Sequence, residues 1–230
     1  MGFPLNGAFL LALLGIKEGQ IIETNALVNK CNLSPTSLAR NLAKAHDDGL
    51  ASLEGGILQV TRSQKLKLAL TALKRGVDIE EVCKAAGWQE FEQLAEHVLQ
   101  GEEYSTRTHF RFRISGHGHE VDIVAMRRPL IMSIECKRWK KSWQLSGIQR
   151  IVASHLLRTR NLCKVLCDHK DELNLRNWTS ADMYPIVLML SETPTRVEGG
   201  VPIVPIHRFV EFLAGFDLHV AEYSVCRCQL

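Results

Sequence analysis

Glu120-Val121-Asp122-Ile123-Val124-Ala125, a turn at Met126-Arg127-Arg128-Pro129, and then Leu130-Ile131-Met132-Ser133-Ile134-Glu135-Cys136-Lys137-Arg138-Trp139 form the stretch on which the chain turns. Two apolar runs joined by a short Pro-containing turn predict a β-hairpin. An acid stands near the start of the first strand, and a Glu-x-Lys closes the second. Side chains two apart on a strand point the same way, so Glu135 and Lys137 share a face, about 6.8 Å apart along the chain. A tight hairpin brings Asp122 beside them. Charges inside apolar strands cost several kcal/mol unless they pair or bind metal, and that cost argues for a function. Two carboxylates, with the Cys136 carbonyl, make a hard-oxygen site suited to Mg2+ or Mn2+. Lys137 is placed to hold or deprotonate water and to offset developing negative charge.

Outward from this hairpin the periodicity predicts strands at Ser105–Ile114, Glu120–Met126 and Leu130–Lys137, then a helix from about Trp143 to Arg158. Lys164–Cys167, the apolar run Pro185–Leu190 and Val201–Pro205 follow. A last helix, Ile206–Ala214, precedes a terminal strand at Leu218–Val225. This order describes an α/β sandwich with a mixed central sheet. Ahead of it, a helix from Gln89 to Gln100 carries Phe91, Leu94, Ala95, Val98 and Leu99 on one face.

The first 76 residues follow another pattern. Short helices are expected at 6–16 and 24–31, and Ser34-Pro35-Thr36 opens a third in the manner of an N-cap followed by proline. Leu38, Leu42 and Ala45 recur at helical spacing, which leaves Thr36, Ser37, Arg40, Asn41 and Lys44 outward. Ala51-Ser52-Leu53, Gly55-Gly56 and Ile57–Val60 read as a hairpin with a Gly-Gly turn, and a fourth helix runs from Ser63 to about Arg75. Three helices and a hairpin in this order look like the winged helix-turn-helix family, whose third helix meets the DNA major groove. The expected domains are a winged helix at 1–76, a linker helix at 77–88 and an α/β domain at 89–230.

Composition narrows the class. Of 230 residues, 46% are hydrophobic and 23% charged, which are ordinary globular values. The longest apolar stretch, Ala8 to Ile16, is too short to span a bilayer and lacks the flanks of a secretory signal. Seven scattered cysteines are read as free thiols in a reducing cytoplasm. Cys163, Cys167 and His169, like Cys226 and Cys228, miss the paired CxxC spacing of structural zinc. The net charge of +3 hides a segregation: +4 over 1–76, −7 over 77–104, +7 over 105–150 and −1 over 151–230. Two basic blocks, each beside a motif, point to a polyanionic partner.

The Val-Asp-Ile-Val-Ala of 121–125 and the Glu-Cys-Lys-Arg-Trp of 135–139 resemble the PD-(D/E)xK nuclease superfamily. Within it they resemble the Mrr-like restriction endonucleases and the archaeal Holliday junction resolvases, over about residues 88–215. The resemblance implies a restriction-endonuclease-like α/β fold and a divalent-metal-dependent DNA endonuclease, restriction-like or repair-like, acting in the cytoplasm as a homodimer away from membranes. Asp122, Glu135 and Lys137 carry the chemistry, with Mg2+ or Mn2+ on Asp122, Glu135 and the Cys136 carbonyl. Phe91-Glu92 matches the family's opening helix and implies Glu92 as a further ligand, with Glu90 and Glu96 as alternatives on the same helix. A glutamine on the helix after the Glu-x-Lys strand lines such sites, which implicates Gln149 and, less directly, Gln144. Arg138, Lys140 and Lys141 are expected at DNA. Val121 stands where the superfamily often has proline. His117 and His119 are added close to the site, as phosphate contacts or as plain loop residues. The alternatives are a structure-selective, junction-type nuclease, or a DNA-binding regulator with a vestigial nuclease domain. Three intact charges favour an active enzyme.

Overall fold

In the computed structural model, which describes residues 5–137 and 145–230, the chain divides into two compact units, one ending at Leu94 and the other covering Ala95–Leu230.

The first unit runs α1 (Gly7–Leu14), β1 (Ile22–Glu23), α2 (Val28–Cys31), α3 (Pro35–Asp47), β2 (Ser52–Glu54), β3 (Ile57–Gln59), α4 (Arg62–Lys74) and α5 (Ile79–Ala86), and includes the start of α6 (Trp88–Gly101). The short strands form an antiparallel sheet in the order β1-β3-β2. Gly55 and Gly56 turn the β2–β3 hairpin with φ of 56° and 79°, values a side chain would resist. Ser34 caps α3 ahead of Pro35, as the sequence predicts, and a Thr61–Gln64 capping box starts α4. The segment expected as a linker helix, α5, packs against α1 and α4, and the buried Lys65 donates to the Ala86 carbonyl at its end. The division of the chain falls inside α6, later than the composition shift suggests.

One outward assignment on α3 is corrected. Asn41 is fully buried: its Oδ1 accepts the Asn6 backbone N–H at 3.2 Å and its Nδ2 donates to the Ser37 carbonyl at 2.8 Å. Asn6 in turn caps α1 through the Phe9 N–H. An amide that satisfies two backbone groups is as good a core residue as a leucine, which polarity-based reading misses.

The second unit is built on β4 (Ser105–Ile114), β5 (His117–Arg127), β6 (Leu130–Lys137), β7 (Ser180–Met189), β8 (Val197–Glu198), β9 (Val201–Pro205) and β10 (Cys226–Gln229), with α7 (Leu145–Val165) and α8 (Phe209–His219). Sheet order is β4-β5-β6-β7-β9-β8, with β10 also on β7. The β4–β5–β6 meander is antiparallel, and β6–β7 and β7–β9 are parallel, giving the mixed sheet expected from the sequence. Because β6 and β7 run parallel, a crossover must join them, and α7 supplies it. Its buried residues Ile148, Val152, His155, Thr159 and Leu162 recur at helical spacing and lie on the sheet.

Three local expectations shift. Lys164–Cys167 is the end of α7 followed by a 3-10 turn at Leu166–His169, and α8 runs on to His219, which moves the terminal strand to Cys226–Gln229. The cysteines are not all free: Cys163 on α7 and Cys228 on β10 form a disulfide across 65 residues, with Cα atoms 5.2 Å apart. That pairing exists because β10 docks antiparallel on β7 beneath the end of α7, a long-range event that spacing along the chain does not reveal. Among the described residues no helix is long and apolar enough to cross a membrane.

Candidate active site

Strand parity places the site, and a break in parity shapes it. Phe110 and Phe112 on β4 share a core cluster with Val121, Val124 and Met126 on β5. Strict alternation would send Val121 and Val124 to opposite faces. The β4–β5 ladder omits the His109–Asp122 step, and His109 has φ of 50°. The strand pair therefore kinks where Asp122 sits, as bulged strands do beside functional sites.

Next door, the β5–β6 ladder begins at Ile123–Ile134, and one place beyond it a side chain replaces the backbone: the Cys136 N–H donates to Asp122 Oδ2 at 2.8 Å. Asp122 and Glu135 are thereby held face to face. Burial, then the neighbouring Glu135 charge, raise the Asp122 carboxyl above its ordinary range, against the Cys136 N–H, Lys137 and Arg158. Burial also acts to raise Glu135, but the Lys137 hydrogen bond and nearby positive charges hold it below the usual value. Lys137 Nζ lies 2.5 Å from Glu135 Oε1, and the Arg158 guanidinium pairs with Oε2.

Asp122, Glu135 and Lys137 are thus brought together as the sequence predicts. Cys136 has a buried side chain in the core, and its N–H serves Asp122. Gln149 is exposed and donates to Glu198 Oε1 at 3.3 Å. Glu96 accepts from Thr106 Oγ1 on β4 at 2.8 Å, which engages it elsewhere. Glu92 is buried on the part of α6 that belongs to the first unit, and the Glu90 side chain is outside the described positions. His117 is exposed at the hairpin end, and His119 stacks on Phe112 with ring centroids 5.1 Å apart. A groove lined by Arg111, Phe112, Arg113, His119, Glu120 and His169 follows this hairpin. Arg138, Lys140, Lys141 and Gln144 lie outside the described residues.

Residues on α7 complete the site and escaped the sequence reading. Besides Arg158, the fully buried His155 places Nε2 2.8 Å from the Ser133 carbonyl and Nδ1 3.8 Å from Glu135 Oε2. A carbonyl only accepts, so Nε2 carries the proton. Thr159 donates to the Ser133 hydroxyl at 3.1 Å. A signal was present: His155 and Thr159 interrupt the inward stripe Ile148, Val152, Leu162 with polar groups.

Burial lowers the His155 pKa to about 4, with Glu135 and the Ser133 hydrogen bond only partly offsetting it. At neutral pH the ring is uncharged, and Glu135 is balanced by Lys137 and Arg158. An unfolded histidine, with a pKa of about 6.5, takes up its proton first. Stability is therefore fully present above that value and falls as pH drops from about 6.5 toward about 4. Denaturant titrations across this window should show the slope in the wild type and a flatter profile in His155→Leu; identical slopes would place the pH dependence elsewhere.

Residues 83–164 match the Mrr_cat family model, described as a restriction endonuclease, a span that includes β4, β5, β6 and nearly all of α7. An uncharacterized protein of Archaeoglobus fulgidus is 28% identical over 137 residues, which is 60% of this chain and 97% of that protein. Among solved structures, a protein of unknown function, AF1548, aligns at a TM-score of 0.30 and 16% identity over 43% of this chain and 46% of its own. VC1899 from Vibrio cholerae aligns at a TM-score of 0.39 and 13% identity over 94% of this chain and 52% of its own. The chain spans about half the length of each of these two.

Proposed function

We propose that this chain, whose residues 83–164 match the Mrr_cat restriction-endonuclease family model, is a divalent-metal-dependent DNA endonuclease that hydrolyses phosphodiester bonds and is directed to DNA by its N-terminal unit. The observation that carries the reading is the half-buried Asp122 facing Glu135, with Lys137 on the same strand face. A carboxyl whose ionisation is disfavoured by burial and by a facing carboxylate is suited to a cation shared with that neighbour. Among the described residues no group of three or more His, Cys, Asp or Glu side chains is placed to hold a metal ion by itself. Asp122 and Glu135 completed by water and phosphate oxygens fit the usual way Mg2+ is held.

Mg2+ or Mn2+ there supplies Lewis-acid activation of water and of the scissile phosphate. Asp122 is oriented by the Cys136 N–H, and Glu135 is held at both oxygens by Lys137 and Arg158. Lys137, partly exposed, reaches from Glu135 toward incoming substrate and offsets charge as the oxygen attacks. The deciding experiment is cleavage of plasmid, methylated, flap and four-way substrates with Mg2+ or Mn2+. Activity that EDTA abolishes supports the reading, and activity that survives EDTA sinks it.

The order α1, β1, α2, α3, β2, β3, α4 supports a winged helix in the first unit, with Thr36 and Arg40 exposed on α3 and Lys44 half-exposed beside Asp48. Arg40→Ala with Lys44→Ala is expected to weaken DNA binding and lower its salt slope by up to about two phosphate contacts. Wild-type affinity and slope in the double variant would assign this unit to protein contacts. The reading includes a homodimer, which sedimentation tests.

A further inference from the structure

Arg158 stands on the same carboxylate that a metal would use. Its guanidinium pairs with Glu135 Oε2 while Lys137 holds Oε1. Two carboxylates, Asp122 and Glu135, here face two cations, Lys137 and Arg158. A divalent ion entering this cluster meets a like charge already on its ligand. The Arg158 side chain is 21% exposed against 6% for Glu135, so the guanidinium sits toward solvent and the carboxylate behind it. On either side of Arg158 along α7, His155 is held on the Ser133 carbonyl and Thr159 on the Ser133 hydroxyl, which pins the helix to β6. Arg158 can therefore leave Glu135 by a movement of its side chain, with the helix staying in place. A planar guanidinium with further N–H donors is also the side chain best matched to a phosphate oxygen pair.

We propose that Arg158 couples metal binding to DNA binding: in the free protein it is the counter-ion of Glu135, and it transfers to a phosphodiester of the substrate when a divalent cation takes its place. The proposal rests on the metal-dependent reading above and adds the order in which charges are exchanged. Coupling is reciprocal, so whatever favours Arg158 on phosphate favours metal on Glu135.

The test measures Mn2+ affinity of DNA-free full-length protein by titration calorimetry or electron paramagnetic resonance. Arg158→Gln keeps a hydrogen-bond donor but removes the charge, and is expected to bind Mn2+ about tenfold more tightly, within the usual range for coupled sites. Arg158→Lys keeps the charge and should stay near wild type. In the presence of Mn2+, Arg158→Gln should bind DNA more weakly, with a salt slope lower by about one phosphate. Arg158→Met gives the same readings should the glutamine variant fail to fold. Wild-type Mn2+ binding with no gain in the folded neutral variants overturns the coupling alone. No Mn2+ binding by any of them overturns the metal reading and the coupling with it.

Discussion

Asp122→Asn is expected to abolish metal-dependent cleavage, by at least the about 10²–10⁴-fold that follows loss of a positioned catalytic group, while the metal-free protein becomes more heat-stable at neutral pH. The two effects share a cause. Burial and the facing Glu135 raise the Asp122 carboxyl, so its charged form is disfavoured in the fold. For an acid whose folded pKa is raised, its contribution to stability is largest below the unfolded value of about 3.9 and is lost as pH rises through the folded value. Asparagine is neutral throughout, and its side-chain oxygen still accepts the Cys136 N–H. The gain in melting temperature in chelator should therefore appear at neutral pH and vanish in acid. Cleavage at the wild-type rate by Asp122→Asn would remove this residue from the mechanism.

Lys137→Ala separates chemistry from structure at the neighbouring position. The Lys137 side chain is 35% exposed with Nζ 2.5 Å from Glu135 Oε1, while Arg158 pairs with the other oxygen, Oε2. Glu135 thus keeps a counter-charge, and the variant should fold and bind Mn2+. Its single-turnover cleavage should fall by about 10²–10⁴-fold. Arginine should rescue poorly, because a guanidinium stays charged and cannot accept a proton. If Lys137 serves only to balance Glu135, the alanine variant will instead melt lower, with activity lost in proportion to structure. Melting temperature, Mn2+ affinity and cleavage measured on one preparation decide between these outcomes.

The hairpin that carries Asp122, Glu135 and Lys137 was legible in the sequence because every relation within it is local. Period-two alternation sets which side chains share a face, and the short turn, which the structure tightens to Arg128-Pro129, sets which residues meet across the strands. The caps of α3 and α4, the Gly-Gly turn and the inward stripe of α7 are local in the same sense. Tertiary structure alone decided the rest. Asn41 is inside because it meets Asn6, 35 positions away, and Cys163 meets Cys228 only once β10 has docked on β7. The parity break at His109 and Asp122 needs three strands to be seen. Arg158 reaches Glu135 across 23 residues, and Gln149, on the same helix, reaches Glu198 across 49. A helical stripe states which residues face the core; which atom of the sheet each one meets depends on where the helix lies along the strands, and that is set by the packing of the whole layer rather than by any stretch of sequence.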